Sequence, residues 1–162
     1  IVTLVFAVLV AISAFQTVTL QESAMEPTYS VSEKFFVNRA LYKISSPKRG
    51  DVIVFKTSAS DSAALHIRRV IGLPGETVQV KDGKIYINGK VYEENGAYQD
   101  MTDGGLANSA ITLESGEYFV LGDNRNNSED SRFSDIGNIS KKYIVGKVWF
   151  TVSPKNKIGF IK

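Results

Sequence analysis

Residues 77–92 constrain the fold more tightly than any other stretch. Thr77–Val78–Gln79–Val80 alternates polar with apolar, and Asp82–Gly83 follows. Ile85–Tyr86–Ile87 then resumes, Asn88–Gly89 interrupts again, and Val91–Tyr92 comes last. A period of two puts successive side chains on opposite faces of a strand. Asp-Gly and Asn-Gly supply the positive φ angles that two-residue hairpin turns require. The stretch predicts a three-stranded antiparallel meander.

Further strand signals lie on both sides of it. Gln16 to Glu22 alternates, with Val18 and Leu20 on one side and Thr17 and Thr19 on the other, and predicts a half-buried strand leading straight to Ala24. Lys34 to Arg39 is a second candidate. Val52–Ile53–Val54–Phe55 is a continuous β-branched and aromatic run, hence a core strand. Leu65 to Ile71 is another, closed by Leu73–Pro74–Gly75. Glu117 to Leu121 and Tyr143 to Phe150 complete the core strands. Ser45 to Asp51 is turn chemistry, Ser58 to Ala64 a surface loop, and Glu93 to Ser109 a polar, weakly structured excursion. No helix longer than the N-terminal stretch is expected. The expectation is a mainly β, antiparallel protein. Residues 16–74 and 115–162 form its core, and residues 75–114 a smaller inserted β lobe.

Nineteen Lys and Arg against seventeen Asp and Glu leave the charge nearly balanced, so no nucleic-acid partner is implied. The absence of cysteine excludes disulfides and thiolate metal sites, and one histidine with no HExxH spacing leaves no metal or cofactor expected. Ile1 to Phe15 carries no charge, and its only polar residues are Thr3 and Ser13. As a helix it spans roughly 22 Å, short of the roughly 20 residues that cross a bilayer. It also lacks the polar stripe of a surface helix. The reading preferred is residues 1–15 as the outer part of a transmembrane anchor, with a buried core helix as the alternative. A cleaved leader fits less well, because no small-x-small site follows.

Gly122 to Arg132 has no aliphatic residue and alternates Asp123 and Asp130 with Arg125 and Arg132. Guanidiniums pair with carboxylates in bidentate fashion, so the run can brace itself. Its pattern, G-D-N-R-x-x-S-x-D-S-R, closely resembles the last signature box of the type I signal peptidases. These are membrane-anchored Ser/Lys endopeptidases that remove signal peptides from exported proteins. Three more stretches match in the expected order: Met25–Glu26–Pro27–Thr28, Arg49–Gly50–Asp51–Val52–Ile53–Val54–Phe55, and Arg69–Val70–Ile71–Gly72–Leu73–Pro74–Gly75–Glu76.

The resemblance implies a signal-peptidase-like β fold with an uncleaved anchor, a bacterial cell-membrane location, single-pass, and an extracytoplasmic globular part. It also implies a nucleophilic serine directly before Met25 and a basic lysine directly before Arg69. Those positions hold Ala24 and Arg68. Alanine has no oxygen to attack with. Lysine can be desolvated until it is neutral near pH 7, whereas guanidinium stays charged. Ser23 is one residue off and faces the other way in a strand. His66 shares the face of Arg68 at roughly 7 Å. Relatives that use histidine as base carry it at the lysine position itself, so His66 is read as a strand-face histidine beside the cleft. Glu22 shares a face with Ala24 by the same alternation, which leaves two equal readings, a salt bridge to Arg68 and a solvent-exposed carboxylate. By the resemblance, Ser128 is the residue that hydrogen-bonds the family's lysine. Asp130 and Arg132 hold the box against the catalytic strand, and Asp123 and Arg125 frame its turn. Val18, Leu20, Glu22, Met25 and Ile67 are the candidates for contact with a bound peptide. Plain core packing explains Val18, Leu20 and Met25 equally well.

Two functions fit. The preferred one is a natural non-catalytic member, a membrane-anchored binder or chaperone that holds an exported precursor, or a pilin, as an extended strand. Members of the family associated with pilus assembly in Gram-positive bacteria fit that description. Membrane lipid is the other expected partner. The alternative is an active Ser/Lys serine endopeptidase inactivated by engineered substitutions, since Ser→Ala and Lys→Arg both conserve shape. Glu22, where the family commonly has glycine, favours the natural reading, because disabling an enzyme gives no reason to change that position. A β-rich interaction module that shares these boxes by chance is a third class, disfavoured by four ordered motifs behind an apolar segment.

Overall fold

The computed structural model of the protein describes residues 1–161, apart from the side chains of residues 10–12. Helix α1 (Val2–Ala14) runs directly into β1 (Phe15–Thr19), and β2 (Lys34–Asn38) returns beside it. A short helix α2 (Leu41–Ile44) then leads to β3 (Val52–Phe55) and β4 (His66–Gly72). The meander is β5 (Thr77–Lys81), β6 (Lys84–Ile87) and β7 (Lys90–Val91), joined later by β8 (Ile111–Thr112). The chain closes with β9 (Glu117–Leu121), β10 (Ile139–Ser140), β11 (Ile144–Ser153) and β12 (Gly159–Phe160).

Among the described residues the larger sheet has the order β1-β2-β11-β3-β4-β9-β10, with β12 on β11, and all its pairs are antiparallel. The second sheet, β7-β6-β5-β8, is built from residues 77–112 and is also antiparallel. Its two tight turns form as the sequence dictates: Asp82 and Gly83 have φ of 51° and 77°, and Asn88 and Gly89 the same pair of values. The two sheets share one apolar cluster, in which Ile71, Phe119 and Leu121 meet Val78, Val80 and Ile85. β3 is buried at every position and β4 from Ile67 onward, as continuous apolar runs demand. Arg68 and Arg69 interrupt the run on β4, one on each face.

Two expectations need correction. The strand expected over residues 16–22 ends at Thr19, and Ser23–Met25 is a 3-10 turn. The cause lies in the polar box: Asn124 takes the Ala24 carbonyl with its N–H (2.9 Å) and the Ser23 carbonyl with its side-chain amide (3.1 Å). Those carbonyls are thereby drawn out of strand pairing. The excursion over 93–109 is not loose. Met101 and Ala107 are buried in the shared cluster, and Gly105–Asn108 is a 3-10 turn, so two apolar side chains pin a polar segment. The N-terminal helix has 13 residues, and no helix among the described residues is long and apolar enough to cross a membrane.

Candidate active-site cleft

The cleft sits where the box after β9 closes over the turn before residue 26. Gly122 opens the box because nothing larger fits: a Cβ there would lie 2.1 Å from Ser128 Oγ and 2.5 Å from the Ala24 carbonyl oxygen. The Gly122 N–H donates to Asp130 Oδ2 at 3.1 Å. Arg132 grips the same carboxylate through Nε (2.8 Å) and Nη2 (2.9 Å), and reaches the carbonyls of Arg125 (2.7 Å) and Asp103 (3.0 Å). Arg125 donates to the Gly122 carbonyl (3.0 Å), pairs with Glu94, and lies over the Tyr98 ring at 4.1 Å.

The division of labour in the box differs from the expected one. Asp130 and Arg132 brace the box internally and tie it to the 93–109 segment. Asp123 supplies the side-chain clamp on β4, accepting two bonds from Arg69, from Nε at 2.8 Å and Nη2 at 2.7 Å. Burial works against the Arg69 charge, yet the Asp123 hydrogen bonds and charge outweigh it and hold the guanidinium above its ordinary pKa. Spacing along a chain shows which charges are near one another, not which of them pair.

Ala24 and Arg68 line one cavity of about 420 Å³, together with Glu22, His66, Ser128 and Glu129. Arg68 is 1% exposed and fully engaged. Its Nε donates to the Glu129 carbonyl (2.7 Å), its Nη1 to the Ile67 carbonyl (2.8 Å), and its Nη2 lies 2.6 Å from Glu22 Oε2. The Glu22–Arg68 pair is therefore present, although Glu22 reaches it from an extended residue beyond β1 and not by strand alternation. Glu22 also accepts a hydrogen bond from His66 Nδ1 at 2.7 Å, a link the sequence did not disclose. Burial alone would raise the Glu22 carboxyl pKa, but the His66 hydrogen bond and the Arg68 charge overcome that and lower it. Among the described residues no hydroxyl hydrogen-bonds to the His66 ring. Ser128 Oγ is buried without a hydrogen-bond partner.

Val18, Leu20, Met25 and Ile67 meet one another in one buried cluster, each 6% exposed or less. Of the five peptide-contact candidates, Glu22 alone borders the cavity, and the other four belong to the buried cluster. Asn124 and Asn127 were missed as individuals. Both hydrogen-bond to Ser23 and so shape the cleft wall. The polar density of the box was the one signal for them. Nothing in the sequence pointed to Glu94.

The model of the family described as "Signal peptidase, peptidase S26" matches residues 1–153. Signal peptidase I of Bacillus licheniformis is 33% identical over 165 residues, covering 98% of this chain and 87% of that protein. Signal peptidase I T of Bacillus subtilis is 34% identical over 165 residues, covering 98% of this chain and 84% of that one. A crystal structure of a signal peptidase I from Enterococcus faecalis is similar with a TM-score of 0.52 at 32% identity, covering 65% of this chain and 98% of that chain. The chain belongs to the signal peptidase family.

Proposed function

We propose that this family member binds exported precursor polypeptides as extended strands, without cleaving them, at the membrane surface. Pilins are among the candidate clients. In this reading Ala24 and Arg68 stand at the nucleophile and base positions of the Ser/Lys dyad, and α1 is the outer part of a single-pass anchor that leaves the β-rich part extracytoplasmic. The observation that carries it is the Glu22–Arg68–His66 network. Metal-free peptide cleavage needs a nucleophile and a group that can accept its proton. Here Ala24 lines one cavity with a guanidinium that is 1% exposed and committed to three oxygens. Glu22 matches that guanidinium in charge, which favours a site settled around Arg68 over an enzyme disabled by two substitutions. Binding requires neither reacting group. Among the described residues β1 ends the sheet order, so its outer edge has no strand partner and offers a place for strand addition.

The test restores Ala24→Ser and Arg68→Lys together and follows cleavage of an exported precursor in lipid. The protein as it stands should show no turnover, and the double variant should stay inactive until Glu22→Gly is added. Robust cleavage by the double variant alone would favour a recently or deliberately disabled peptidase. Cleavage by the unaltered protein would overturn the reading.

A further inference from the structure

Five basic side chains gather where α1 meets the larger sheet. Arg39, Lys43, Lys56, Lys141 and Lys142 line a cavity of about 530 Å³ with Ser13, from the last turn of α1. Among the described residues no acidic side chain lines it. Among the described residues none of the five is in an ion pair. Lys141 Nζ donates to the Ser45 carbonyl (3.0 Å) and Ser46 Oγ (3.1 Å), and Lys56 Nζ to the carbonyls of Ser60 and Asp61 (3.3 Å each). Arg39, Lys43 and Lys142 are exposed. With 19 basic and 17 acidic side chains in the whole chain, five uncompensated cations around one cavity are a local concentration.

The neighbours of the cavity narrow the choice of anion. The Arg39 N–H donates to the Ala14 carbonyl at 2.8 Å, so the cavity is fastened to the end of an apolar helix whose first eight side chains, those of residues 2–9, are exposed. From the same helix end, Phe15 packs on Trp149 and Trp149 on Phe160, with centroids 5.3 and 5.4 Å apart. Trp149 is 41% exposed, Phe160 67%, and Ile44, next to Lys43, 89%. A free anion in water gives no reason for exposed aromatic and aliphatic side chains to lie near the helix end that carries its site. A lipid headgroup does, because aromatic rings and basic side chains both settle at the membrane–water interface.

We propose that this cavity binds the phosphate of an anionic phospholipid such as phosphatidylglycerol. The proposal rests on the reading of α1 as a membrane anchor. The five cations supply the charge, and the cavity lies within the size range of small-ligand sites.

The test uses the full chain in neutral detergent micelles, with the unfolding midpoint followed as lipid is added at constant ionic strength. Phosphatidylglycerol should raise the midpoint by about 5 °C or more at a hundredfold excess over Kd. Phosphatidylcholine and inorganic phosphate should not. Arg39→Gln, Lys43→Gln and Lys142→Gln together should abolish the rise, and Arg39→Lys, Lys43→Arg and Lys142→Arg should keep it. Neutralising Lys81, Lys84 and Lys90 on the second sheet should leave it intact. Equal losses from the two neutralised sets would overturn the site in favour of diffuse charge. A rise with inorganic phosphate would overturn the lipid as its ligand. Co-flotation of the unaltered chain with phosphatidylcholine vesicles checks the anchor separately: no flotation overturns the membrane reading itself, whereas flotation without a phosphatidylglycerol rise overturns the cavity alone.

Discussion

Arg68 and Arg69 are consecutive on β4, yet they sit in opposite electrostatic situations. Arg69 and Asp123 are 9% and 0% exposed and joined by two parallel hydrogen bonds. Arg68 is 1% exposed, but Glu22 is 33% exposed and shares its carboxylate with His66. A strand sends neighbouring side chains to opposite faces, so one segment serves both frame and cleft. The Arg69 pair is closed to water and fixes the box in place. The Arg68 pair opens on solvent, and Glu22 enters from a segment with no strand partner of its own. One arginine thus clamps the box to the frame, while the other lines the cleft cavity.

If that contrast is right, Asp123→Ala is the most damaging single change. It removes the charge that answers a buried guanidinium and the side-chain clamp of the box on β4, leaving the Arg68 bond to the Glu129 carbonyl. Breaking a buried pair from one side costs about 3–5 kcal/mol. Urea unfolding of the two proteins should show a loss of that size with an unchanged m-value. A loss no larger than that of Glu22→Gln would erase the distinction between the two arginines.

How much of this was legible in the sequence depends on range. The meander was readable because Asp82–Gly83 and Asn88–Gly89 fix their turns locally. β3 and β9 were readable because their apolar runs leave one outcome. The end of β1 was not, because Asn124, about a hundred residues away, captures the carbonyls of Ser23 and Ala24. The cleft followed the same rule. The motifs bracketed Ala24 and Arg68 and contained Ser128, and opposite charge with an assumed shared strand face suggested Glu22 with Arg68. That His66 joins them, that Asp123 reaches Arg69 while Asp130 turns to Arg132, and that Glu94 meets Arg125 are all long-range choices among several possible partners. Those are settled by the assembled fold.

Glu22→Gln probes the open pair. It removes the charge that answers Arg68 and weakens the bond from His66, while the Glu129 and Ile67 carbonyls remain. With Glu22 one-third exposed, solvent offsets part of the loss, which should be about 1–2 kcal/mol at pH 7. The pH dependence has a definite sign. The folded Glu22 carboxyl titrates below its usual 4.5, so its contribution is complete above that pH and fades as pH falls through the lowered value. The gap between the two proteins in urea midpoint should therefore hold steady from pH 5 to 7 and close in acid. A gap that widens in acid would mean that Glu22 does not stabilise Arg68.

Ser128→Ala should have the smallest effect, and its smallness is informative. Ser128 Oγ is buried without a hydrogen-bond partner, and it crowds Gly122 so closely that no Cβ fits there. An unsatisfied buried hydroxyl contributes nothing that alanine lacks, and its removal spares a desolvation cost. The change should fall within about 0.5 kcal/mol of zero, or stabilise slightly. The same substitution made together with Ala24→Ser and Arg68→Lys should behave differently. An amine at position 68 would need the hydroxyl as its acceptor, so alanine at 128 should then cost stability and any restored cleavage. Measuring both backgrounds gives a coupling energy between positions 68 and 128. A large coupling with lysine and none with arginine would identify Ser128 as a support whose partner is missing from this chain. Equal coupling in both would mean that Arg68 already uses it.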